Sequence, residues 1–202
     1  TLNVSRVAIK YHIPVVYAST GSVYMPIKGE PPITEEFPVM GNSVYGCSKA
    51  LGEIYIKETK PYIILRYSHL IGLEKRYHGL VGGFIDRIER GMAPQLHGGA
   101  QSNDFLDVRD VAMANVLALT ASWDKYNQVY NIGTGVEMTA EEAGKIVCKY
   151  MKYKGKIDKT PGREVDPQRF VFSTKKAETM LGFKAKYSFE DGVKFIVENM
   201  KK

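Results

Sequence analysis

The sequence is poor in metal-binding and cross-linking residues. Of its 202 residues only two are cysteine, Cys47 and Cys148, and four are histidine, His12, His69, His78 and His97. The cysteines fit no zinc spacing and imply no disulfide framework. The histidines show no paired ligand spacing. No metal is expected, and a reducing, cytoplasmic compartment fits best. No apolar run reaches the roughly 18 residues of a membrane span, so no membrane partner is expected. The opening stretch TLNVSRVAIKYHIPVV lacks the basic start, apolar block and cleavage site of a signal peptide. It also lacks an initiator Met and begins inside an amphipathic pattern, so the chain reads as a piece of something longer.

What is present is ordinary globular composition, 44% hydrophobic and 25% charged, in a chain long enough to bury a sizeable core. Net charge is +6, and much of the excess lies in KYMKYKGKIDK (149–159). Lysines interleaved with tyrosines suit single-stranded nucleic acid. No nucleic-acid motif accompanies them, so a solvated helix end and loop is the better reading, and no nucleic-acid partner is expected.

Apolar residues at Leu2, Val4, Val7, Ala8 and Ile9 predict the tail of a helix. IPVVYAS (13–19) predicts a buried strand, and a Pro-rich loop follows over 25–38. NSVYGCSKALGEIYIKE (42–58) predicts a helix capped by Asn42 or Ser43, and YIILRYS (62–68) a second buried strand. This alternation predicts an α/β protein with a parallel sheet. Further on, 80–91 reads as a helix ending at Gly91, PQLHG and NDFLDV as short strands, and 108–122 as a helix. QVYNIGTG (128–135) reads as a strand running into a Gly turn. A capping box from Thr139 to Glu142 opens a helix over 139–151. Ser173 and Ser188 are the expected caps of helices over 173–183 and 188–200.

One motif carries chemistry. Tyr45-Gly46-Cys47-Ser48-Lys49 is Y-x-x-x-K on a predicted helix, a spacing that puts both side chains on one face. An ammonium near a phenol favours the phenolate, and such a tyrosine can exchange a proton with a sugar hydroxyl. Thr20 lies just past the end of the strand VVYAS, where open parallel sheets bind ligands. The plainer reading of STGS is a turn whose hydroxyls cap the strand end, and both readings can hold at once.

In order, VVYASTGSVY, E-E-F-P, YGCSKALGE, ILRYSHLIG, DFLDVRDVA and YNIGTG resemble the extended short-chain dehydrogenase/reductase family. The likeness runs over nearly the whole chain and is narrower still to the NAD-dependent sugar-nucleotide epimerase/dehydratase branch. HGLVGGFIDRI and PQLHGGAQSNDFLDVRD are most similar to its UDP-glucose 4-epimerase-like members. The resemblance implies an α/β fold: the C-terminal half of a Rossmann-type parallel sheet plus a smaller mixed α/β substrate-binding domain. Residues 1–68, with returning segments around 104–135, would form the second half of the NAD-binding domain, and 69–202 mainly the substrate-binding domain.

Carried over by position, the resemblance implies catalytic roles for Thr20, Tyr45 and Lys49. Thr20 would bond substrate and tyrosine, Tyr45 would be the general acid/base, and Lys49 would bind the nicotinamide ribose and favour the tyrosinate. Ala18, Ser19, Tyr67 and Ser68, with Tyr45 and Lys49, would bind NAD. Thr20, Ser22, Leu80, Gln95 and His97 would contact the nucleotide-sugar substrate, as would His69, Asn103 and Arg163. Three departures bear on the branch. Gly21 and Ser22 stand where dehydratases carry an Asp-Glu pair, which favours a 4-epimerase working through a 4-keto sugar. His69 stands where the family usually has Asn, and Asn103 where it usually has a diphosphate-gripping Arg, while Arg163 matches a second such Arg.

The resemblance also implies a G-x-x-G-x-x-G loop that seats the cofactor pyrophosphate on a helix N-terminus. The sequence contains none, and GLVGG and NIGTG stand in another context. About three βα units are expected to be missing, on the order of 100 residues. A chain so truncated is expected to be inactive alone, with IPVVYAS left as an open strand edge. The helices at 2–12 and 42–58 are expected to form a homodimer surface. Two alternatives stand beside the epimerase: another oxidoreductase or dehydratase of the family, and a non-catalytic sugar-nucleotide-binding module.

Overall fold

The computed structural model describes residues 1–25, 30–41, 43–73, 79–162 and 169–200. The first part alternates helix and strand. Helix α1 (Leu2–Tyr11) leads into β1 (Val15–Thr20), and α2 (Val44–Lys57) leads into β2 (Tyr62–Tyr67). Ser43 caps α2, its hydroxyl accepting from the Gly46 N–H at 3.0 Å. Asn42, the other expected cap, lies outside the described residues. The chain continues through β3 (His69–Ile71), α3 (Gly79–Glu89), β4 (Gln95–His97), β5 (Ser102–Asn103), β6 (Phe105–Asp107) and α4 (Val108–Leu119). It ends with β7 (Gln128–Ile132), β8 (Met138–Thr139), α5 (Ala140–Tyr150), β9 (Asp158–Thr160) and α6 (Phe189–Asn199).

Strands β1, β2 and β7 form a parallel sheet in that order, with β2 central. The register aligns Thr20 with Tyr67, and Tyr67 with Ile132, so the strands end together. Every residue of β2 is buried, as expected of a strand covered on both faces. Its alternation divides the two cores. Ile63, Leu65 and Tyr67 pack with Ala114 and Ala118 of α4, whereas Tyr62 and Ile64 pack with Ile56 of α2. By the same period of two, Arg66 belongs to the α2 face.

A second core holds the remaining elements. Phe84 and Ile85 of α3, Ala143 and Val147 of α5, and Val193 and Ile196 of α6 pack around Leu96 and Phe105. Capping boxes open α5 (Thr139 with Glu142) and α6 (Ser188 with Asp191). Gly144 lets α5 approach α3, because a Cβ there would stand 2.7 Å from the Phe84 ring.

Two expected elements differ. NDFLDV divides into β5 and β6 at Asp104, whose buried carboxylate accepts from the Thr134, Gly135 and Phe172 N–H groups and the Thr134 hydroxyl. It thereby ties this stretch to the turn after β7. Residues 173–183 do hold a helix, but it starts at Lys175 without a Ser173 cap and winds into a π-helical turn (Ala177–Leu181) ended by Gly182 at φ +68°. The Ser173 N–H instead donates to Ile33 O. The basic stretch 149–159 is partly neutralised, since Lys149 and Tyr150 both bond Glu190 and Lys159 bonds Glu141. No helix among the described residues is long and apolar enough to cross a membrane.

Candidate active site

Helix α2 carries Tyr45, Lys49 and Glu53 one turn apart on one face. Burial deepens along it: Tyr45 is exposed, Lys49 half-buried and Glu53 buried. Lys49 Nζ donates to Ala18 O of β1 at 2.8 Å and lies 5.3 Å from the Tyr17 ring centre. This bond uses one of the three N–H donors of the ammonium. It sets the Y-x-x-x-K turn against the carboxyl end of β1.

At that strand end, Thr20 does what the plainer reading expected. Its hydroxyl accepts from the Ser22 N–H at 3.2 Å and donates to Ser22 Oγ at 3.4 Å, capping the 3₁₀ turn Gly21–Tyr24. A Cβ on Gly21 would lie 2.3 Å from Phe170 and 2.9 Å from Phe172. Both rings are buried, so position 21 has no room for a carboxylate unless they move.

Beneath the strand ends lies a buried polar network. Glu53 accepts from Ser19 Oγ at 2.6 Å and from Arg66 Nε and Nη2 at 2.9 and 2.6 Å. Arg66 Nη1 donates to Tyr24 Oη, which donates to Asn131 Oδ1, both at 2.7 Å. Burial opposes the Arg66 charge, but hydrogen bonds to Glu53 and Tyr24 outweigh it and raise its pKa. Burial pushes the Tyr24 phenol up to about 12, so it stays a neutral donor.

The residues expected at the cofactor divide by direction. Ala18 is exposed and offers its carbonyl to Lys49. The Ser19 hydroxyl turns inward to Glu53. Tyr67 is buried and bonds Asn115 of α4 at 3.1 Å. Ser68 Oγ, just past β2, is buried with no hydrogen-bond partner among the described residues. A buried unpaired hydroxyl calls for an explanation, and here a polar ligand group at the strand ends would satisfy it. The Ser19 and Tyr67 hydroxyls are already engaged within the protein, so Ser68 Oγ is the polar atom of the four whose state fits a bound dinucleotide end.

A separate cleft of about 490 Å³ lies between α3, β4 and β5. It is lined by five residues expected to bind substrate: His69, Leu80, Gln95, His97 and Asn103. His97 Nδ1 is 2.6 Å from Thr160 Oγ1, and the His69 ring packs edge-on against Phe170 at 5.1 Å. Thr20 and Ser22 are not among its lining residues. Arg163 lies outside the described residues. Phe84, Arg87 and Gln101 also line the cleft, and sequence reasoning did not pick them out. Leu80, Gly83, Phe84 and Arg87 form an i, i+3, i+4, i+7 stripe on α3 that could have pointed to Phe84 and Arg87.

A family model described as the NAD dependent epimerase/dehydratase family matches residues 1–133. A Methanocaldococcus jannaschii protein whose name assigns it, provisionally, to UDP-glucose 4-epimerase is 36% identical over 214 aligned residues, covering 100% of this chain and 68% of that protein. Other relatives are longer still: the chain spans 48% of a UDP-arabinose 4-epimerase of Arabidopsis thaliana, at 30% identity over 86% of the chain. Among solved structures, the Thermotoga maritima UDP-glucose 4-epimerase with UDP-glucose superposes with a TM-score of 0.91 at 29% identity, over 99% of this chain and 67% of that one. The Thermus thermophilus UDP-glucose 4-epimerase complex with NAD gives 0.85 at 27%, over 99% and 68%. The parallel sheet and mixed α/β part are thus the Rossmann-type fold of these epimerases, over about two thirds of their length.

Proposed function

The chain belongs to the NAD-dependent epimerase/dehydratase family, and from that premise we propose that it is the proton-transfer and substrate-binding part of a sugar-nucleotide 4-epimerase. One observation carries the choice of branch. The Y-x-x-x-K pair sits beside the end of β1, while position 21 is a glycine closed off by Phe170 and Phe172. Elimination of water needs an acid and a base at the strand end, and position 21 has no space for one.

In this reading the α1–β1–α2–β2 part, with β7, is the NAD-binding side, and the elements around the cleft hold the substrate. Lys49, Tyr45, Ala18, Ser19, Tyr67 and Ser68 would line the nicotinamide end, with Ser68 Oγ completing its bonding there. Bound NAD supplies hydride acceptance and return at a sugar carbon. Tyr45 takes the proton of the sugar 4-hydroxyl and returns it, and Thr20 holds that hydroxyl by a hydrogen bond. Lys49, fixed on Ala18 O, holds positive charge on the tyrosine face of α2. His69, Leu80, Gln95, His97 and Asn103 orient the nucleotide sugar. Exposed Val4, Val7 and Ile9 of α1 and Leu51 and Ile54 of α2 support a homodimer surface, and two free cysteines accord with the cytoplasm.

The test is Tyr45→Phe in the full-length protein, assayed by interconversion of UDP-glucose and UDP-galactose. Tyr45 is exposed, so the variant is expected to fold as wild type and to lose turnover by roughly 100-fold or more. Undiminished turnover removes Tyr45 from its role. A wild type inactive on UDP-, GDP- and dTDP-sugars removes the epimerase reading.

A further inference from the structure

A lysine is hard to fix in place, because its long, flexible side chain loses rotamer freedom when it is ordered. Lys49 is half-buried, and its bond to Ala18 O at 2.8 Å leaves the ammonium able to pivot about that carbonyl. A second contact limits the pivot. Lys49 Nζ lies over the face of the Tyr17 ring, 5.3 Å from its centre, within the range where an electron-rich ring face attracts a cation.

The ring is itself held by α2. Tyr17 and Ser19 stand two apart on β1, so both point to one side of the sheet, the side that α2 covers. The Ser19 hydroxyl bonds Glu53, and the Tyr17 ring packs against the core of Ile56 and Ile64. The ring also runs past Gly52, where a Cβ would stand 2.1 Å from the phenol oxygen. Residue 52 is about one turn on from Lys49, so the glycine leaves the gap that the ring fills beside the lysine. We propose that Tyr17 is a positioning residue: with Ala18 O, its ring holds the Lys49 ammonium at the end of β1, on the face of α2 that carries Tyr45. The inference rests on the proton-transfer reading of Tyr45 and Lys49 above and adds the side chain that keeps the lysine in place for it.

The experiment pairs NMR with kinetics on the full-length protein, in wild type, Tyr17→Phe and Tyr17→Leu. Protons held over an aromatic face resonate upfield. In protein carrying isotope-labelled lysine, the Lys49 Cε protons, identified by their absence in Lys49→Met, are expected upfield of the other lysines. Tyr17→Phe keeps a ring and is expected to keep that shift, whereas Tyr17→Leu abolishes it. With UDP-glucose as substrate, Tyr17→Leu is expected to lower kcat roughly 2- to 5-fold with little change in KM, the factor by which a cation–ring contact biases the lysine. Tyr17→Phe is expected to recover the turnover that leucine loses. A purely structural role for Tyr17 would leave the lysine resonance where it is. An unshifted Lys49 signal in wild type overturns the proposal, as does a shift that survives in Tyr17→Leu. A Tyr17→Leu protein with wild-type kcat overturns it too, and equal losses in the Phe and Leu variants trace the effect to the phenol oxygen and do the same. A wild type inactive on nucleotide sugars removes the proton-transfer reading, and this positioning role with it, whatever the lysine signal shows.

Discussion

Glu53 anchors the buried network under the strand ends, and Glu53→Gln removes its charge with almost no change in shape. The wild-type carboxylate accepts three hydrogen bonds, at 2.6, 2.9 and 2.6 Å, from Ser19 and Arg66. Both members of the ion pair are 2% exposed. Breaking such a pair by changing one partner costs about 3–5 kcal/mol, because the other charge stays buried and uncompensated. Glutamine keeps one acceptor oxygen, so the lower end applies, about 3 kcal/mol. For a chain of this size that corresponds to a fall in Tm of about 6–12 °C. Urea unfolding followed by far-UV circular dichroism measures it, with an unchanged m-value marking a true stability change. A loss below about 1 kcal/mol would refute the reasoning, since Arg66 would then have water or another partner at hand. The double variant Glu53→Leu/Arg66→Met locates the cost. Removing both charges is commonly neutral, and Tyr24 Oη keeps its bond to Asn131, so the double variant is expected to recover most of the loss. A double variant as unstable as the single one places the cost in packing.

Other outcomes follow from the same geometry. Hydrogen bonds from Arg169 and Ser102 hold the Glu137 carboxyl down at about 2, against an ordinary 4.5. A depressed carboxyl pKa stabilises the fold fully above the unfolded value and loses that contribution as pH falls towards the folded one. The urea-midpoint advantage of wild type over Glu137→Gln should therefore be constant at neutral pH and shrink between pH 4.5 and about 2; an advantage independent of pH would exclude the ion pair as its source. Gly144→Ala forces a methyl to 2.7 Å from the Phe84 ring between α3 and α5, an overpacking expected to cost about 1–3 kcal/mol. Equal urea midpoints for variant and wild type would show that the ring moves freely aside.

Much of the fold was legible because its signals are local. The unbroken run YIILRY marks a strand buried on both faces, and the Thr139–Glu142 box fixes a helix start to the residue. The π-helical turn at Ala177–Leu181 was not legible, because STKKAETMLGF has ordinary helix propensity. Its winding goes with the packing of Ala177, Leu181 and Phe183 into one core, a tertiary demand. The tyrosine–lysine spacing on one helix face is visible in the sequence, but spacing alone is a weak signal, and the roles given to the pair came from the family resemblance. The cleft could not, since His69, Leu80, His97 and Asn103 come from four elements brought together only by folding; family resemblance supplied them. Glu53 looked like a helix-face acid and Arg66 like an odd charge in an apolar strand. Neither sequence position discloses its partner.

The gradient along α2 has a consequence for which changes the molecule can absorb. Eight residues separate Tyr45 from Glu53, about 12 Å of helix, and only the inner end is clamped into the buried network. The placement of Tyr45 is therefore inherited from that distant clamp more than from its own exposed surroundings. Exposed side chains of the outer turn that neither cap the helix nor carry its chemistry, such as Val44 and Ser48, are free to diversify as new ligands or neighbours require. Positions 19, 53 and 66 are not, because a single change among them leaves a buried charge or hydroxyl stranded. Variation in a lineage or a mutant library should accordingly concentrate at exposed outer-turn positions such as Val44 and Ser48 and thin out towards the buried end of α2.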